Sequence, residues 1–136
     1  MKANHIFLLT GISIALVIIY NAYQRRRKDV PVFIRKRLIN NYNARTIPPF
    51  GVFITESQKD NKDLHKHEKT HWIQYQKKGL LNYYADYATE LNKYGYDKMP
   101  MEQEARLGES DYCKENYTDC VRNGSSNTVF NPIFRK

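Results

Sequence analysis

The stretch His67-Glu68-Lys69-Thr70-His71 decides how this chain is read. On a helix, residues four apart share a face, about 40° apart around the axis, so these two imidazoles can grip one metal ion. Glu68, beside the first of them, then stands next to the metal's open position. There it can take a proton from a bound water. The plainer alternative is a solvated amphipathic helix whose histidines are incidental.

The surroundings favour the metal. From Asp63 to Lys78 there is no Pro or Gly, and the run closes with Lys77-Lys78-Gly79, the usual grammar of a helix C-terminus. Asp60, Asn61 or Asp63 can cap its start. On a helical wheel, Leu64, His71, Gln74, Tyr75 and Lys78 fall within about 80° of His67. The ligand face is therefore partly apolar and bounded by hydrogen-bonding groups, while Trp72 and Ile73 flank it and are expected to pack inward.

A zinc hydrolase site needs a third protein ligand and a fourth position for water. Cys113 and Cys120 lie far down the chain, and thiolates usually serve closed structural sites. Met99 to Gly108 is a better source, with Pro100 suited to a first helical turn and Gly108 to its end. Glu102 and Glu104, two apart, point about 200° from each other and cannot both face the metal. Glu102 is the expected ligand, with Ala105 on its side leaving room for close helix approach. Glu104 is the reserve.

With Glu68, the paired histidines and Glu102-Gln-Glu-Ala105 about thirty residues later, the chain resembles the gluzincin class of zinc metallopeptidases. More narrowly, three strings are similar to small uncharacterised predicted zincins of bacteria and their phages. They are His67-Glu-x-x-His71-Trp-x-Gln-Tyr75, Gly79-Leu-Leu81, and Tyr94-Gly-Tyr-Asp-Lys-x-Pro-Met-Glu-x-Glu-Ala-Arg106. The resemblance covers about residues 45–108. It implies Zn²⁺ held by His67, His71 and Glu102, Glu68 as the catalytic base, and a peptide or protein substrate. One position departs: where many gluzincins place an aspartate that braces the first histidine, this chain has Arg106. A brace must then come from elsewhere or be missing.

The chain opens on a second strong signal. Ile6 to Tyr20 is almost uninterrupted apolar sequence, extending weakly to Tyr23, and Arg25-Arg-Arg-Lys28 follows. Eighteen helical residues span about 27 Å, just enough for a bilayer's hydrocarbon core. A cleaved signal peptide is the competitor. Only Lys2 and the amino terminus precede the apolar run, however, and no small-x-small cleavage site stands before the arginines. The expectation is an uncleaved single-pass anchor at residues 6–23, behind a short segment at 1–5. Tyr20 and Tyr23 would lie in the interface, and the positive-inside rule puts the remainder in the cytoplasm.

Formal net charge is +8. Five positive charges precede Asp29, leaving 17 basic against 14 acidic residues. The excess therefore belongs to a basic juxtamembrane stem, residues 24–44, and membrane lipid is the expected partner of residues 6–28. No basic strip interleaved with aromatics supports nucleic-acid binding. A disulfide between Cys113 and Cys120, or glycosylation at Asn116 or Asn123, would argue instead for an outward-facing domain.

The expected fold class is α+β and mainly helical: the membrane helix, then a small zincin-like domain over residues 45–108. Within it Leu80 to Tyr94 forms a second helix, with Leu80, Tyr84, Tyr87 and Leu91 turned to the core. Residues 30–42 begin as a strand or a short surface helix, Pro48-Pro49 marks a break, and Phe50-Gly-Val-Phe-Ile-Thr55 reads as a strand. That strand is either an edge to which an extended peptide adds or a short core strand. A tyrosine near the metal (Tyr75, Tyr83, Tyr84, Tyr94 or Tyr96) can stabilise an oxyanion, though each also suits packing. Residues 109–136 read as a loop-rich tail, with Phe130, Ile133 and Phe134 docking its end. The functional expectation is a membrane-anchored zinc metallopeptidase. The alternatives are a non-catalytic membrane or virion protein with a structural zinc, and a zinc hydrolase acting on cell-wall peptides.

Overall fold

Helices and a small three-stranded sheet make up the chain, as expected of a mainly helical α+β protein. The computed structural model describes residues 2–108, with side chains from residue 13 onward. The readings placed on Cys113, Cys120, Asn116, Asn123, Phe130, Ile133 and Phe134 lie outside the described residues.

The elements run α1 (Lys2–Arg26), β1 (Val32–Arg35), β2 (Ala44–Ile47), β3 (Gly51–Thr55), α2 (Lys62–Lys78), α3 (Leu80–Tyr94) and α4 (Pro100–Gly108). The strand order is β1-β3-β2, with β1 parallel and β2 antiparallel to β3. Residues 30–42 thus supply a strand, and residues 32–35 and 44 of the expected stem belong to the sheet. The Pro48-Pro49 break is the turn between β2 and β3.

One expectation is corrected here. Of the two readings of residues 50–55, the core strand holds and the peptide-accepting edge does not. Both edges of β3 are taken, Val52 pairing with Val32 on one side and Thr46 on the other. Gly51 serves that pairing. With φ at 147°, any Cβ there would stand 2.7 Å from the Phe33 ring and 2.8 Å from the Pro31 carbonyl oxygen. Among the described strands, β2 is the one that is both an edge and beside α2.

Val52 and Ile54 of β3 meet Trp72 and Tyr75 of α2, Tyr83 of α3, and Met99 and Met101 at the start of α4. Ile73 is buried as well. The core face of α3 is centred one residue earlier than expected. Tyr83 is the buried tyrosine, with Leu80 and Tyr87 packed beside the core, whereas Tyr84 and Leu91 are exposed at 44% and 41%. Tyr84 and Leu91 border an open cavity beside α3, which Tyr83 and Tyr87 also reach from the core side.

The end of α1 packs on the back of α2 through polar groups. The Tyr75 hydroxyl donates to Asn21 Oδ1 (2.7 Å), and Gln76 Nε2 donates to the carbonyls of Gln24 (3.2 Å) and Arg27 (2.8 Å). The last two turns of α1 are therefore spent on protein contacts. Among the described residues no helix is long and apolar enough to cross a membrane. Those residues do not support the transmembrane anchor expected at 6–23, much of whose apolar run precedes residue 13.

Candidate metal centre

Asn61 is the residue that caps α2, its Oδ1 accepting the Leu64 N–H at 3.1 Å. One turn in, His67 and His71 project from the same face, both buried. Across from them α4 begins at Pro100, where the missing N–H costs nothing. The Met101 N–H is satisfied by Glu90 Oε2 at 2.8 Å. This start orients Glu102, 2% exposed, toward the two imidazoles.

The three ends converge. His67 Nε2 lies 3.2 Å from His71 Nε2. Glu102 Oε2 is 3.3 Å from His67 Nε2, and Oε1 is 3.2 Å from His71 Nε2. Metal–ligand bonds of 2.0–2.1 Å in a tetrahedron put neighbouring donor atoms about 3.3 Å apart; each histidine meets one carboxylate oxygen near that distance, and one ligand atom from each of the three residues lies within 4.8 Å of the others. Glu102 Oε2 is buried without a hydrogen-bond partner, a state that normally carries a large desolvation penalty. Burial works against the carboxylate charge, but the two histidines outweigh it and hold the Glu102 carboxyl well below the ordinary range. His67, His71 and Glu102 thus form a buried group that can hold a metal ion.

Glu104, the reserve ligand, turns elsewhere and completes a support that sequence reasoning missed. Gln74 is buried, and its Oε1 lies 2.9 Å from His71 Nδ1. Its Nε2 donates to the Met101 carbonyl (2.9 Å) and to Glu104 Oε2 (2.7 Å). Those two acceptors fix which end of the amide is nitrogen. Oε1 must then face the imidazole, so Nδ1 carries the proton and the Nε2 lone pair faces the metal position. The brace falls on the second histidine and comes from its own helix. Arg106, at the position of the usual bracing aspartate, is turned outward, donating to the Asp97 carbonyl at 2.8 Å and pairing with its carboxylate at 3.2 Å.

Glu68 is buried beside this group. The Thr46 hydroxyl, on β2, lies 2.6 Å from Glu68 Oε2 and 2.8 Å from its backbone oxygen, and donates to them. Thr46 is the second residue the sequence did not single out. Strand alternation turns it toward α2, but its partner is 22 positions away.

A cavity of about 490 Å³ opens on the site, lined by Thr46, His67, Glu68, His71 and Glu102 together with a wall of tyrosines. Of the tyrosines considered from sequence, Tyr83, Tyr84 and Tyr96 line it, and Tyr42 and Tyr87 join them. Tyr75 faces α1 instead, and Tyr94 is exposed with Lys93 over its ring at 4.9 Å. Tyr84 donates to the Pro48 carbonyl at 2.6 Å. Burial and the neighbouring Glu102 carboxylate push the Tyr96 phenol well up from 10. Burial also raises Tyr83 and Tyr87, helped by neighbouring phenols and the two glutamates. These rings stay protonated at neutral pH, and so remain donors.

No protein-family model, no curated protein and no solved structure matches this chain.

Proposed function

We propose that this chain is a zinc-dependent metallopeptidase of gluzincin type, tethered to a membrane, which hydrolyses peptide bonds. The observation that carries the reading is the convergence of His67, His71 and Glu102, whose ligand atoms lie within 4.8 Å of one another, on the wall of an open cavity that also holds Glu68. A closed structural site would fill all four corners from protein, commonly with thiolates. Here the donors are two imidazoles and one carboxylate, a set suited to zinc, and the buried Glu102 Oε2, which has no hydrogen-bond partner, is suited to ligate a cation.

Zinc at this position supplies a Lewis acid and brings a water to the acidity needed near neutral pH. The protein does the rest. Glu68, steadied by Thr46, accepts the proton from the attacking water and returns it to the departing amine. Gln74 keeps the His71 Nε2 lone pair turned inward. Among the tyrosines lining the cavity, Tyr84 is engaged by the Pro48 carbonyl, whereas the Tyr42, Tyr83 and Tyr87 hydroxyls make no hydrogen bond among the described residues and are the phenols able to donate to a developing oxyanion.

Replacing Glu68 with Gln is expected to abolish cleavage of an unfolded protein substrate while zinc stays bound at one equivalent. Undiminished cleavage by Glu68→Gln would refute the assigned base. Zinc bound with no hydrolysis by either protein would favour the structural-zinc alternative. Turnover of purified peptidoglycan in place of unfolded protein would move the substrate to cell-wall peptides.

The tether is read from the sequence, where the apolar run Ile6 to Tyr20 leads into Arg25-Arg-Arg-Lys28; within it Ile14 and residues 16–19 are each more than half exposed. Resistance of the full chain to alkaline extraction from membranes tests it. The charge asymmetry favours a cytoplasmic catalytic domain. Labelling of Cys113 or Cys120 by a membrane-impermeant thiol reagent on intact cells would reverse that orientation.

A further inference from the structure

Among the described residues, the cavity lining contains a single lysine or arginine, Arg45. It sits on β2 beside Thr46, the residue that holds Glu68. Its guanidinium carbon stands 5.2 Å from the centroid of the Tyr42 ring. It makes no ion pair among the described residues, in contrast to Arg106, which is engaged by Asp97. Burial raises the Tyr84 and Tyr87 phenols, and the Arg45 charge works against both rises, so its field extends into the cavity.

The rim that carries this pair is anchored at both ends. Arg45 is in register with Phe53 in the antiparallel ladder. The segment bearing Tyr42 is tied to the end of β3, since the Asn43 carbonyl accepts both the Thr55 N–H (2.9 Å) and the Thr55 hydroxyl (3.0 Å). A guanidinium resting on an aromatic ring uses its face and leaves its in-plane N–H fork for a planar anion. A carboxylate matches that fork with two parallel charge-assisted hydrogen bonds. The other charged side chains on the lining are Glu68 and Glu102, so among the side chains Arg45 is the favourable contact for an anion that enters the cavity.

We propose that Arg45, seated on Tyr42, is a carboxylate-recognition subsite for the substrate. The preferred peptides then carry a C-terminal carboxylate or an acidic side chain close to the bond presented to Glu68. Arg45 and Thr46 are neighbours on β2 with side chains leaving opposite faces of the strand, and both residues border the cavity. The inference rests on the peptidase reading for its substrate class, and its test separates the two.

The test uses the full chain carrying Glu68→Gln, loaded with zinc, and four acetylated peptides. Ala-Phe-Ala-Ala is offered as the free acid and as the carboxamide, and Ala-Phe-Glu-Ala carboxamide is compared with its Gln counterpart. Calorimetry is expected to give a Kd about 10-fold lower for the charged member of at least one pair. Which pair responds identifies the terminus or the side chain as the source. Adding Arg45→Gln removes the difference, and Arg45→Lys keeps part of it. Equal affinity within both pairs, no measurable binding of any peptide, or a preference that survives Arg45→Gln overturns the subsite. The wild-type chain is assayed for hydrolysis of the same four peptides. Cleavage of none of them, with the Arg45-dependent preference intact, would sink the peptidase reading and leave the subsite standing.

Discussion

Replacing Gln74 with Leu removes one amide of nearly the same shape and three hydrogen bonds with it: to His71 Nδ1, to the Met101 carbonyl and to Glu104. Gln74 is 2% exposed, so water does not take over these bonds. Two effects follow and can be told apart. Leaving buried polar groups unpaired costs roughly 1–3 kcal/mol of stability, which lowers Tm by several degrees for a domain of this size. That loss is common to the metal-free and metal-bound protein, so it drops out of the metal affinity. The second effect does not. Without Oε1 opposite Nδ1, the His71 proton is free to move to Nε2, which lies 3.2 Å from Glu102 Oε1. Metal must then displace a hydrogen bond that the intact site forbids.

Loss of an outer brace typically weakens metal binding 10–100-fold, about 1.4–2.7 kcal/mol. Competition with a calibrated zinc chelator at fixed pH reads that change, and scanning calorimetry with and without metal reads the stability. Gln74→Glu separates the two further. It keeps an acceptor for Nδ1–H but sets a second carboxylate against Glu104, so stability should fall while zinc affinity stays closer to wild type. A Gln74→Leu protein that binds zinc within twofold of wild type would refute the brace, whatever its Tm.

Glu102→Ala should lose bound zinc outright, whereas Glu104→Ala should retain one equivalent with affinity lower by no more than several-fold. The reverse result in metal analysis would exchange their roles. Thr46→Val keeps the strand but removes the donor to Glu68, and is expected to lower kcat by about 10-fold or more with zinc stoichiometry unchanged; an unaltered kcat would dismiss Thr46 as a positioning residue. Tyr75 is pushed up to about 12 by burial. A raised pKa means the folded state holds the proton more tightly, so this contribution is whole below pH 10 and fades as pH climbs toward 12. In denaturant titrations Tyr75→Phe should cost roughly 0.5–1.5 kcal/mol at neutral pH, through the lost bond to Asn21, and should flatten the alkaline decline. An identical decline in both proteins would count against that assignment.

Local signals account for what the sequence made legible. α2 was readable because its cap, its unbroken run and its Gly79 stop all lie within one segment, and α4 because Pro100 and Gly108 bracket it. The angle between residues two apart rules out a site that uses both Glu102 and Glu104, and Ala105 on the side of Glu102 tips the choice to Glu102. What escaped were relations between distant segments. Nothing in Phe50–Thr55 tells that β1 and β2 will occupy both its edges, because pairing is decided by the whole sheet. The spacing of Leu80, Tyr84, Tyr87 and Leu91, steps of four, three and four, points one residue off the true core face of α3, because a cavity wall accepts the same residues as a core. Gln74 was visible on the ligand face of α2, but the Met101 carbonyl and Glu104 that orient it come 27 and 30 residues later.

That placement of the brace has a consequence for how the site forms. When a bracing aspartate belongs to the helix of the third ligand, it steadies a histidine after that helix has arrived. Here the amide that orients His71 is the same one that bonds the backbone of α4 at Met101, immediately before Glu102. Docking α4 and setting the His71 tautomer are therefore one event, and it delivers the third donor at the moment the second becomes competent. Met99, Met101 and Ala105 seal the same contact from the apolar side, so the cluster is assembled by packing and held ready for a cation. Metal binding should then stabilise α4 more than any other helix. Amide exchange protection gained on adding zinc should concentrate in residues 100–108 and around His71, and a gain spread evenly over α3 would contradict the coupling.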